Sequence, residues 1–164
     1  MNDEKNITLS QIIRAPKQDV QFGDWKSGAI PKAQFPLTRS KLSLGRGWKW
    51  RVVTFNAVGQ SFVCLVALST EKESYRAMLG LKDGQTLKVI CHHELHTDHW
   101  NWHCHMIYGN VLETFSGVLR DKNRMKPWPS FNKDECTVPF EVSKESALSI
   151  AAARFRFQDS DGFL

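Results

Sequence analysis

From residue 48 the chain alternates in a way that predicts β-structure. Residues 48–56 (WKWRVVTFN) are rich in aromatic and β-branched side chains and read as a strand. Ala57-Val58-Gly59-Gln60 supplies a turn, with Gly59 at its left-handed position. Residues 61–68 (SFVCLVAL) form a second strand, apolar on both faces and therefore central to a sheet. Thr70-Glu71-Lys72-Glu73 matches a capping box, which predicts a helix over 71–79 ending at Gly80. Asp83-Gly84 turns the chain into a strand over 87–96, and a hairpin partner follows over 101–108. Residues 120–133 read as a basic loop around Pro127-Trp128-Pro129. A short strand over 137–142 leads to a final helix, capped by Ser143 and running over 144–157, with Leu148, Ala152 and Phe155 as its apolar stripe. The elements predict an α+β fold: a central antiparallel sheet, with the 87–96/101–108 hairpin at or near its centre and the helices packed on one face.

Residues 1–45 differ from the rest. They hold Pro16, Pro31 and Pro36, little periodicity, and from Arg14 onward a basic excess against only Asp19 and Asp24. This is a basic N-terminal arm preceding a single domain over 46–164. It either lies over the domain, pinned by Phe22, Trp25 and Phe35, or follows a phosphate backbone. The net charge of +5 over 164 residues favours a polyanionic partner without requiring one. No apolar run is long enough to span a bilayer, and Met1-Asn2-Asp3-Glu4-Lys5 lacks the pattern of a signal peptide. Of the 4 cysteines, Cys64, Cys91, Cys104 and Cys136, none forms a CxxC pair, and three sit in or beside apolar runs. Reduced, buried thiols and a cytoplasmic location are expected.

All 6 histidines fall between residues 92 and 105. Alternate residues of a strand share a face. One set on the first hairpin strand is Val89, Cys91, His93 and Leu95; the other is Lys88, Ile90, His92, Glu94 and His96. On the second strand the sets are Trp100, Trp102, Cys104 and Met106 against Asn101, His103, His105 and Ile107. Packing the more apolar sets against the core gathers His92, Glu94, His96, His103 and His105 on the other face. Pairing His96 with His103 would set Glu94 opposite His105, with paired Cβ atoms about 5 Å apart. Imidazole and carboxylate together suit a divalent transition metal such as Mn²⁺ or Zn²⁺, and Mg²⁺ less well. His93 reads as a core histidine and His99 as a loop residue.

The stretch VICHHELHTDHWNWHCHMIY, residues 89–108, resembles the second motif of the HUH endonucleases, especially rolling-circle replication initiators of geminivirus type. Glu94-Leu95-His96 preceding His103-Cys104-His105 carries the resemblance, which spans about twenty residues. It implies an HUH/RRM-like sheet, Glu94, His103 and His105 as metal ligands, and metal-dependent cleavage of single-stranded DNA. It also implies that residues 48–56 are the first-motif strand. Those initiators carry a nucleophilic Tyr on a helix after the HUH strand, and no tyrosine follows Tyr108 here. Tyr75, upstream as in relaxases, or a histidine such as His92 or His96 would have to attack instead; Tyr75 otherwise reads as a core aromatic. Arg46, Lys49 and Arg51, with Arg120, Lys122, Arg124 and Lys126, are the expected backbone-holding cations, and Trp48, Trp50, Trp100 and Trp128 offer stacking surfaces.

The missing downstream Tyr supports a second reading, a catalytically degenerate nucleic-acid-binding or partner-blocking accessory protein of a phage or mobile element. A third is a metal-dependent phosphoesterase outside the HUH family, acting through an activated water. A Gly-rich phosphate loop and a GxSxG elbow are both absent from the sequence.

Overall fold

The computed structural model describes residues 5–39, 41–96, 102–128 and 141–158. The described residues hold a large antiparallel sheet and two α-helices, an α+β fold. The sheet is built around an up-and-down run of long strands. Strands β5 (Lys49–Ala57), β6 (Gln60–Ser69), β7 (Ser74–Asp83), β8 (Thr86–His96) and β9 (Trp102–Ile107) pair each with the next. Beyond β9 lies β10 (Met125–Pro127), and on the other side β5 receives both β1 (Gln18–Phe22) and β2 (Lys26–Ser27). A separate pair joins β3 (Ile30–Pro31) to β4 (Lys41–Leu42). The histidine hairpin β8–β9 is displaced from the middle of the sheet toward its β10 end. Among the described residues no helix is long and apolar enough to cross a membrane.

Both sheet faces are buried, and each has its own core. On the first, Phe55, Cys64, Leu68, Tyr75, Leu79 and Cys91 meet α1 (Leu9–Arg14) and α2 (Lys144–Phe155). Ser143 caps α2, reciprocally with Ser146, as its place before an apolar stripe requires. On the second face Trp48, Trp50, Val63, Leu65 and Met78 meet Ile30, Phe35 and Leu37 from the N-terminal segment. This double burial explains why β6 is apolar at nearly every position.

Two expectations are corrected here. Residues 71–79 are not a helix. Thr70–Glu73 is a hairpin loop, with Glu73 in the left-handed region at φ 48°, and β7 begins at Ser74. Tyr75, Ala77, Leu79 and Leu81 alternate onto the first core, and burying them between two neighbouring strands outweighs the helix-start signal. The segment read as a basic loop contains β10, a three-residue strand paired with β9. The strand expected over 137–142 lies largely outside the described residues.

A β-bulge at Ile90 decides which side chains share a face. Leu79 pairs with Cys91 but Gly80 pairs with Val89, so Ile90 is the extra residue. Its partner position suits a glycine: a Cβ on Gly80 would come within 2.9 Å of Leu87 Cδ1. The bulge sends Ile90 to the first core and Leu87 and Val89 to the second. Simple alternation had placed Ile90 beside His92 and Val89 beside Cys91.

Candidate functional site

Strands β8 and β9 meet in a register two residues away from the expected one. His92 pairs with His105 and Glu94 with His103, in place of His96 with His103. A shift of two preserves the faces. His92, Glu94, His103 and His105 therefore lie together on the second face, His92 beside Met78 and Glu94 beside Arg76 of β7. The side chain of His96 lies outside the described residues.

His92 is buried, and its Nε2 lies 2.7 Å from the Leu119 carbonyl. A carbonyl only accepts, so Nε2–H donates. Nδ1 faces Glu94 Oε1 at 3.4 Å. Burial by itself would raise the Glu94 carboxyl. The His92 hydrogen bond and charge, with the Arg76 and Arg120 guanidinium groups, outweigh it and hold Glu94 at about 2. Arg76 Nε stands 4.0 Å from Glu94 Oε1, and its guanidinium lies over the Trp48 ring at 5.5 Å. The His103 and His105 rings are near parallel with centroids 6.5 Å apart. Burial, then the charge of Arg120, lowers the His105 pKa. His105 Nδ1 is buried and makes no hydrogen bond among the described residues.

The donor set fits a transition metal in chemistry. An imidazole held by a backbone carbonyl through Nε2–H, with Nδ1 beside the Glu94 carboxylate, is placed to orient that carboxylate, as the outer partners of metal ligands commonly do. Among the described residues, however, no three His, Cys, Asp or Glu side chains already stand close enough to hold one ion.

The expected cations divide between the faces. Lys49 and Arg51 alternate with Trp50 and Val52, so they lie on the first face, away from the histidines. Arg51 is stacked over Trp25 at 5.5 Å. Arg46 and Lys122 are exposed; Lys126 is exposed on β10; Arg124 pairs with Glu113 at 2.9 Å. Arg120 alone of the seven acts on both Glu94 and His105 through its charge. Arg76 and the Leu119 carbonyl are site groups that the sequence reading missed. Reading 71–79 as a helix concealed that Arg76 falls in phase with Met78, and Leu119 belongs to no pattern.

Tyr75 is fully buried on the opposite face, edge-on to Trp102 and His93, with its hydroxyl donating to the Ala147 carbonyl at 3.3 Å. Burial pushes its phenol well above the usual range. It cannot present its oxygen to a phosphate held by His103 or His105. Tyr75→Phe should cost about 1 kcal/mol, the worth of one hydrogen bond, and leave metal uptake unchanged. A denaturant titration and a metal titration of the variant check both. Tyr108 is partly exposed, and its hydroxyl donates to the Pro127 carbonyl.

No protein-family model, curated protein or solved structure matches the chain.

Proposed function

We propose that the second sheet face binds one divalent transition-metal ion, Mn²⁺ or Zn²⁺, through Glu94, His103 and His105, with His92 in support. The ion would take the phosphodiester of a single-stranded nucleic acid, as in HUH-type enzymes. The observation that carries this reading is the β8–β9 register, which gathers three imidazoles and one ionised carboxylate on one face. His105 Nδ1 supports it, since a buried nitrogen that makes no hydrogen bond among the described residues calls for a partner. When bound, such an ion supplies Lewis acidity to a phosphate oxygen. Arg76 and Arg120 supply fixed positive charge beside it.

Burial of Tyr75 favours one variant of this reading. With the upstream tyrosine closed off, attack would fall to an activated water, or the protein would bind its strand without cutting it. The test is a calorimetric titration with Zn²⁺ and with Mn²⁺, followed by incubation with single-stranded oligonucleotides. One ion per chain is expected, weakened at least tenfold by Glu94→Gln or His105→Ala, the order of effect that ligand loss produces. Absence of stoichiometric uptake by the wild-type protein overturns the proposal. Metal-dependent shortening of the oligonucleotide would identify an enzyme, and chelator-insensitive binding without cleavage a binding module.

A further inference from the structure

Behind the histidines, on the first face of the same two strands, Cys91 and Cys104 bring their sulfur atoms to 3.7 Å. Both are free thiols and buried, Cys91 at 0 % and Cys104 at 2 % exposure. Arg154 of α2 places Nη1 3.9 Å from Cys104 Sγ, and its guanidinium lies over the Trp128 ring at 4.7 Å. Arg154 and Trp128 are themselves only half-buried, so this stack leads from the sulfur toward solvent.

We propose that Cys91 and Cys104 are an oxidation site: a dithiol that peroxide converts to a disulfide, changing the spacing of the histidines on the opposite face. In the first step one sulfur attacks hydrogen peroxide, breaking the O–O bond and giving a sulfenic acid and one water. The second thiol then displaces the sulfenic hydroxyl, forming the S–S bond and releasing a second water. Two thiols lose two electrons and two protons, and one peroxide becomes two waters. The oxidant is a molecule hardly larger than water, so two thiols roofed by a side-chain stack are within its reach.

The two cysteines are diagonal neighbours. Cys91 pairs with Met106 and Cys104 with His93, and the His92–His105 pair lies between those two rungs. Diagonal positions stand farther apart than direct partners, about 7–8 Å between Cα atoms. Closing the sulfurs from 3.7 Å to the bonded ~2.05 Å therefore draws β8 and β9 together across that rung. The side chains on the far side of the rung are the two imidazoles. The oxidation step stands alone; its effect on a bound metal rests on the function proposed above.

The experiment treats the full chain with hydrogen peroxide under native conditions, then maps disulfides by mass spectrometry and titrates metal into the reduced and oxidised forms. The expected result is a loss of about 2 Da, one bond linking Cys91 to Cys104, and its absence in Cys91→Ser and Cys104→Ser but not in Cys64→Ser. The imidazole NMR signals of His92 and His105 should move on oxidation and return with dithiothreitol. Metal affinity of the oxidised form should fall at least tenfold. A chain that keeps both thiols, or pairs either with Cys136, overturns the dithiol. A Cys91–Cys104 bond that leaves the imidazole signals in place overturns the coupling. If the reduced protein takes up no metal, the proposed function fails while the mass and NMR results still decide the dithiol.

Discussion

Acidification from pH 6.5 to pH 3 should remove about 4–5 kcal/mol of folding stability through His93 alone. His93 is 7 % exposed, stacked on Trp102 at 4.7 Å and edge-on to Tyr75. Burial, reinforced by the charge of Arg154, lowers its pKa from 6.5 to about 3. A histidine with a depressed pKa is held neutral in the native state, while the unfolded chain takes up its proton near pH 6.5. Between those two values the unfolded state binds more protons, so stability is full above pH 6.5 and is lost as pH falls toward 3. Glu94 acts in the same direction at lower pH. Its carboxyl is held at about 2 against an ordinary 4.5, so its contribution is lost as pH falls between those values. A typical domain holds only 5–15 kcal/mol in total, so acid unfolding should set in well above pH 3. Urea titrations at pH 7.5, 6, 5 and 4 check this. His93→Gln should flatten most of the dependence above pH 4.5, at the expense of stacking energy at neutral pH. A wild-type stability unchanged from pH 6.5 to 4 would mean that His93 takes its proton in place.

Much of the β-structure was legible because local chemistry and burial agree. At the β5–β6 hairpin, aromatic and β-branched runs flank Val58 and Gly59, which take φ of 48° and 73° as a two-residue hairpin turn prefers. The final helix was legible for the same reason, with a serine cap ahead of an apolar stripe at helical spacing. Thr70–Glu73 failed because a hydroxyl followed three residues later by a carboxylate serves a hairpin loop as well as a helix start. Only the pairing of β7 with β6 before it and β8 after it decides between them. The histidine face was legible while its register was not. Alternation fixes which side a residue points to, and a two-residue slip leaves every side unchanged. The bulge at Ile90 was hidden because Val89, Ile90 and Cys91 are all apolar, so either phase buries them. The anchoring of His92 by Leu119, 27 residues away, is a tertiary contact with no local signature.

Trp50→Ala should destabilise the protein by about 3–5 kcal/mol, the largest loss expected from a single core truncation here. Trp50 is 2 % exposed and among the largest fully buried side chains. It stands in β5 opposite Lys26 of β2 on one side and Ala67 of β6 on the other. Its ring fills the second core with Phe35 and Leu37, under the Lys26 ammonium at 5.7 Å. Its Nε1–H donates to the Gly28 carbonyl at 3.0 Å. Truncation opens a cavity, strips the Gly28 carbonyl of its partner and removes the surface on which Lys26 rests. These losses fall on the contact between the N-terminal segment and the sheet, so residues near Lys26 and Lys32 should become the first sites of tryptic cleavage. Trp50→Phe keeps most of the buried area but not the hydrogen bond, and should cost markedly less than Trp50→Ala. Equilibrium unfolding in urea, with limited proteolysis of each variant, separates the two contributions. A loss below about 1 kcal/mol in Trp50→Ala, or unchanged cleavage, would show that the segment holds to the sheet without this side chain. Such a result would return it to the role of a free basic arm, available to a phosphate backbone.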